Sequence, residues 1–214
     1  MKNILKIVVM VIALAVAAPA VNAQSTQKEL KKALRQKVDK QSKKDAKALK
    51  KQGWKVMPGK LPLEKQIQQA RYSELEKDGE GEFVYIIGTD KSVGGNYAAA
   101  KQISDNRAKL EIAAAINTIV TSRLKENSAT TDFGSGDLET ISEVIAATTS
   151  SVSAGLQGAE TVLEIYRELP NGTTEIMTTC RIPRQRALET ARSVYKKELL
   201  NRSRDLSEQL DELF

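Results

Sequence analysis

The sequence predicts an α+β domain: a small, mostly antiparallel sheet covered by helices, with a basic helical extension before it and a long C-terminal helix at its end. Three observations predict it. Phe83-Val84-Tyr85-Ile86-Ile87 is a β-branched and aromatic run of strand length, bounded by Gly88. Two further strand-like runs flank Pro170-Asn171-Gly172, a strong turn signal that predicts an antiparallel hairpin. Long segments between and around these runs place apolar residues at three- and four-residue intervals, the helical spacing.

The N-terminus comes first. Met1 to Lys6 carries Lys2 and Lys6, and an apolar run from Ile7 to Ala20 follows. Val21-Asn22-Ala23 then puts small side chains where a signal peptidase reads, which predicts cleavage before Gln24. The apolar run is shorter than the roughly 20 residues that span a bilayer, so no transmembrane helix is expected to remain. The expected organisation is a signal peptide over 1–23, a basic extension and linker over 24–62, and the α+β domain over 63–214. The expected location is the periplasm or the exterior, with peripheral association to the envelope allowed.

Gln27 to Gln52 contains neither Gly nor Pro and is rich in Lys, Ala, Leu and Gln, all good helix formers. Leu30, Leu34, Val38, Ala46 and Leu49 give this cationic rod a thin apolar stripe, a helix with no need of the core. Gly53 is placed to stop it, and Trp54 to Leu63, with Pro58 and Pro62, reads as an extended connection. Trp54 is expected to clamp that connection onto the domain. Leu63 to Glu76 resumes a helical pattern, closed by the acidic turn Asp78 to Glu82.

After the first strand, Gly88 to Gly95 reads as a strand-to-helix turn. Its Lys91-Ser92 precedes the glycines, the wrong order for a phosphate loop. Asn96 is placed to cap a helix running to about Asn127, with Ile103, Leu110, Ala113, Ile116, Val120 and Leu124 expected along one face and alanines at 98–100 and 113–115 that allow close approach of another element. A break over Thr130 to Gly136 leads to Asp137 as an N-cap. The next helix carries Leu138, Ile141, Ile145, Thr148 and Val152. The hairpin strands are expected over Ala159 to Leu169 and Thr173 to Ile182. Pro183 ends the second, and Arg184 to Phe214 reads as one charged helix whose later half is free to project beyond the core. The helices are expected on one face of the sheet.

The strand ending in Gly88, the helix with Ala98-Ala99-Ala100-Lys101 and Asn106-Arg107-Ala108-Lys109-Leu110, the hairpin, and the final helix with Ala187, Ala191 and Arg192 together resemble the LPP20-like lipoprotein family. Lys50 to Val56, Leu61 to Gln66 and Glu164 to Asn171 are similar to Bacteroidetes envelope proteins carrying this domain. The resemblance implies an envelope location and an α+β architecture, and supplies no active-site residues. The chain departs from the lipoprotein members in having no cysteine after the leader, so no lipid anchor is expected.

Composition bears on chemistry. The chain has no histidine, which removes the commonest general base and zinc ligand, and Cys180 is its one cysteine. On the last strand, Cys180 alternates in step with Ile176, Thr178 and Ile182 and reads as a packed thiol. The acidic turn does not match a calcium loop. Asp132, Asp137 and Glu139 read as loop and capping residues. No catalytic, cofactor-binding or metal-binding residues are expected, and the chain is read as a non-enzyme.

Charge is distributed unevenly. Gln24 to Arg71 carries thirteen lysines and two arginines against four carboxylates, while the whole chain has a formal charge of only +6. Lys28, Lys31, Lys32, Arg35, Lys43, Lys44, Lys47, Lys50 and Lys51 are therefore the candidates for binding an anionic surface, beside the plainer reading of a solvated helix whose charge only keeps it soluble. Nucleic acid is not expected, since no aromatic residues interleave the lysines. Three functions follow in order: a non-catalytic envelope module binding a protein partner or itself, a peripheral binder of anionic lipid or glycan, and an enzyme using carboxylates or a bound metal, whose site would gather Asp90, Asp105 or Glu164 with raised pKa values in a deep pocket.

Overall fold

A computed structural model of the chain describes residues 23–127 and 135–210. Residues 1–22 of the expected leader and Asp132 lie outside the described residues. The elements are α1 (Ala23–Lys51), α2 (Leu63–Leu75), β1 (Tyr85–Gly94), α3 (Tyr97–Asn127), α4 (Ser135–Ala147), α5 (Thr149–Gly155), β2 (Glu160–Glu168), β3 (Thr174–Pro183), α6 (Arg184–Leu200) and α7 (Arg204–Gln209). The chain divides after Lys37 into two units. The described part of the first is helical throughout, and its side chains from Lys32 to Lys37 are exposed.

The second unit, from Val38 on, is the expected α+β domain. Its sheet has the order β1-β3-β2, with both pairings antiparallel. The hairpin turn forms as the sequence dictates, with Gly172 at φ +81° and Leu169 N–H bonded to the Thr173 carbonyl at 2.8 Å. Alternation along β3 divides the core in two. Cys180 and Ile182 face a cluster with Ile112 and Ile116 of α3 and Tyr195 of α6, whereas Met177 faces a second cluster with Leu163, Ile165, Trp54 and Ile67.

Helices therefore cover both faces of the sheet rather than one. The second layer draws on residues before 63, because Ala46 and Trp54, each 4% exposed, pack with Leu63 and Ile67. The compact domain thus begins well before the expected boundary at residue 63, and the second half of α1 belongs to the core.

Three local expectations change. Gly88 to Gly94 is not a turn but the second half of β1, paired residue by residue with Cys180 to Thr174. Its glycines serve helix packing, since a Cβ on Gly88 would lie 2.0 Å from the Ala108 carbonyl oxygen and one on Gly94 would lie 2.4 Å from the Ala100 nitrogen. The Ala-rich face of α3 thus approaches β1 itself. The helix expected through Val152 breaks at Thr148, whose hydroxyl donates to the Val144 carbonyl at 2.6 Å, a back-bond that bends helices. Asn117 of α3 covers the break by donating to the Ile145 carbonyl at 3.0 Å, and Tyr195 donates its hydroxyl proton to the Asn117 side-chain oxygen.

The C-terminal segment is not one helix either. It turns at Asn201 to Ser203, where extended Ser203 accepts the Leu206 N–H, and this brings Leu206 and Leu210 back into the core instead of projecting them. Two capping expectations have different outcomes. Asn96 accepts the Ala99 N–H at 2.9 Å, while Asp137 lies inside the first turn of α4, not at its cap.

Candidate functional site

Within the second unit, the end of α1 and the first turn of α2 border a groove. Helical spacing sends Val38, Ser42 and Ala46 inward toward the core and leaves Lys43, Lys47, Lys50 and Lys51 on a neighbouring face. Gly53, at φ +84°, ends α1, with the Trp54 N–H bonded back to the Leu49 carbonyl at 3.1 Å. The connection is then tied to the edge of β2. Lys55 and Tyr166 exchange backbone hydrogen bonds of 2.7 and 2.9 Å, and the Arg167 guanidinium lies 4.9 Å from the Trp54 ring centre. Trp54 is the clamp expected of it. The chain re-enters a helix at Leu63, which puts Glu64 opposite the lysines.

The result is an open groove of about 480 Å³ lined by Lys43, Ala46, Lys47, Lys50, Lys51 and Glu64. Its electrostatics follow from what α2 does to the acids of α1. Asp45 pairs with Arg71, and Asp39 accepts hydrogen bonds from the Tyr72 hydroxyl at 2.7 Å and from the Gln68 amide. Those bonds, Tyr72's first, hold the Asp39 carboxyl below its ordinary value of 3.8. Both acids are thus committed to holding α1 on α2. None of the four groove lysines has a carboxylate within 4.0 Å among the described residues, and Glu64 pairs with none of them.

The remaining candidates divide by position. Lys44 is exposed on α1 and does not line the groove. Lys32 and Arg35 are exposed in the first unit, and the side chains of Lys28 and Lys31 lie outside the described residues. No local sequence pattern marks Glu64 as a binding residue. Only its place on the first turn of α2, set by the linker's length, brings it to the lysines.

A second polar cluster lies under α3. The Lys101 ammonium is 2.8 Å from Asp105 Oδ2 and 2.8 Å from Glu164 Oε2, and Tyr97 donates its hydroxyl proton to Glu164 Oε1. Glu164 is 5% exposed. Burial raises its pKa, but Lys101 and Tyr97 more than offset this and leave the carboxyl below its ordinary value of 4.5. The shift is opposite to that of a carboxylic acid tuned to hold a proton. Cys180 is packed at 2% exposure, with its thiol pushed up by burial. In the acidic turn, Asp78 accepts the Glu80 and Glu82 amides at 2.9 Å, and Glu82 pairs with Arg184. Among the described residues no three acidic or thiol groups gather as metal ligands, and no helix is long and apolar enough to cross a membrane.

No family model, curated protein or solved structure matches this chain.

Proposed function

We propose that the chain is an exported, non-catalytic envelope module that holds to an anionic surface, lipid or glycan, through the second half of α1. One observation carries this reading: four lysines gather on one groove and none of them forms an ion pair. Unpaired ammonium groups near an anionic surface contribute up to about 1 kcal/mol each. The resemblance to LPP20-like envelope proteins and the leader-like N-terminus support the compartment. Co-sedimentation with phosphatidylglycerol vesicles across a salt series tests the reading. Binding is expected at low salt and should fade as the screening length falls below about 10 Å; equal sedimentation with neutral phosphatidylcholine vesicles at every salt concentration refutes it.

A protein partner is the second reading. It is favoured by Ile103 and Leu110 of α3, large apolar side chains seven residues apart that are 38% and 39% exposed. Crosslinking in the native envelope is expected to capture a partner from the wild type and lose it with Ile103→Glu and Leu110→Glu combined; recovery that ignores the double variant removes this reading.

A further inference from the structure

We infer that the groove between α1 and α2 is a site for a sugar carrying two phosphate groups, either free or as the headgroup of a lipid. This rests on the anionic-surface reading above and narrows it to one ligand chemistry. Size is the first consideration. About 480 Å³ falls in the range of roughly 300–1,000 Å³ typical of small-molecule sites, and far exceeds what one inorganic phosphate fills.

Spacing is the second. At a rise of about 1.5 Å per residue, Lys43 and Lys51 are offset by about 12 Å along the helix axis. Four ammonium groups along this row supply charge for two phosphates, and a sugar between them gives each end of the row its own anion. Glu64 is the third consideration, and it separates the alternatives. Against a bare anion its carboxylate is repulsive. Against a sugar, the same oxygens accept hydrogen bonds from ring hydroxyls, which have protons to donate and need an acceptor in the site. Glu64 is half-buried and forms no ion pair with the groove lysines, so its acceptor positions remain open.

The test titrates the purified chain by calorimetry with glucose bisphosphate, glucose monophosphate and inorganic phosphate at matched ionic strength. In parallel it measures sedimentation with phosphatidylglycerol vesicles and with phosphatidylcholine vesicles carrying a bisphosphorylated glucosamine lipid. The expected result is saturable binding of glucose bisphosphate at least tenfold tighter than inorganic phosphate. That preference should be lost in Lys47→Gln with Lys50→Gln and kept in Lys44→Gln, which removes charge from α1 outside the groove. Glu64→Ala is decisive because its sign differs. It should weaken the bisphosphate about tenfold, the scale of a hydrogen bond to a charged group, while leaving or strengthening phosphatidylglycerol binding.

If only the sugar-lipid vesicles show the preference and its loss in these variants, the source is a lipid headgroup and the inference stands. Tighter bisphosphate binding by Glu64→Ala, or inorganic phosphate binding as well as the bisphosphate with no sugar-lipid preference, overturns it. Should phosphatidylglycerol binding survive that outcome, the broader anionic-surface reading stands alone; should it vanish as well, both fall.

Discussion

Replacing Gly88 with alanine tests the packing of α3 on the sheet. The added Cβ would lie 2.0 Å from the Ala108 carbonyl oxygen and 3.0 Å from Ile112 Cγ1, where carbon contacts are comfortable at about 3.5–4.0 Å. The nearest obstacle is backbone, which cannot rotate away, so α3 must lift from β1 by more than 1 Å. Inserting one carbon into a packed core costs about 1–3 kcal/mol, and a backbone obstacle argues for the upper end. Alanine's smaller unfolded-state entropy returns about 0.4–1 kcal/mol. A net loss of about 2–3 kcal/mol is expected, which for a domain of this size lowers Tm by about 4–12 °C. Urea unfolding followed by fluorescence of the sole tryptophan, Trp54, and by far-UV circular dichroism measures it. Gly95→Ala is the control, because nothing lies within 4 Å of its Cβ position and its φ is ordinary; it should change stability by less than about 0.5 kcal/mol. A Gly88→Ala protein as stable as the Gly95→Ala protein would refute the close approach of α3 to β1.

Trp54→Ala should cost about 3–5 kcal/mol, because it empties the cluster that holds the second half of α1 to β2; a loss under 1 kcal/mol in the same urea experiment, read by circular dichroism, would contradict the clamp. Glu164→Gln should be about 1–3 kcal/mol less stable than wild type at neutral pH. Because the folded carboxyl lies below 4.5, its contribution is present above that value and lost as pH falls through the lower folded value. The gap between the two proteins should therefore close in acid, and a gap independent of pH would show that the charge of Glu164 contributes nothing. Cys180, buried with a raised thiol pKa, should react with a thiol reagent at mildly alkaline pH only after denaturation; rapid stoichiometric labelling of the native protein would disprove its burial.

Legibility in the sequence followed the range of the interactions involved. Asn96 as a cap, Gly53 as a stop and the Pro170-Asn171-Gly172 turn were readable because each acts within a few residues of itself. Gly88 misled because a glycine bounding an apolar run signals a strand end locally, while its actual role is to admit a helix twenty residues away in sequence. The turn at Asn201 to Ser203 has neither Gly nor Pro to mark it and is set by the burial of Leu206 and Leu210. The lysines were visible as composition, but the division of α1 was not. It depends on Asp39 and Asp45 being engaged by Tyr72, Gln68 and Arg71, which leaves the groove lysines without an ion pair. Glu64 became part of the site only through folding.

Binding to phosphatidylglycerol vesicles by the wild type and by the combined Lys43→Gln, Lys47→Gln, Lys50→Gln and Lys51→Gln protein tests the central claim most directly. At up to about 1 kcal/mol per lysine, the four together should weaken partitioning by about two to three orders of magnitude at low salt, with the urea midpoint little changed. Equal partitioning by the two proteins would contradict the claim that these lysines hold the chain to an anionic surface.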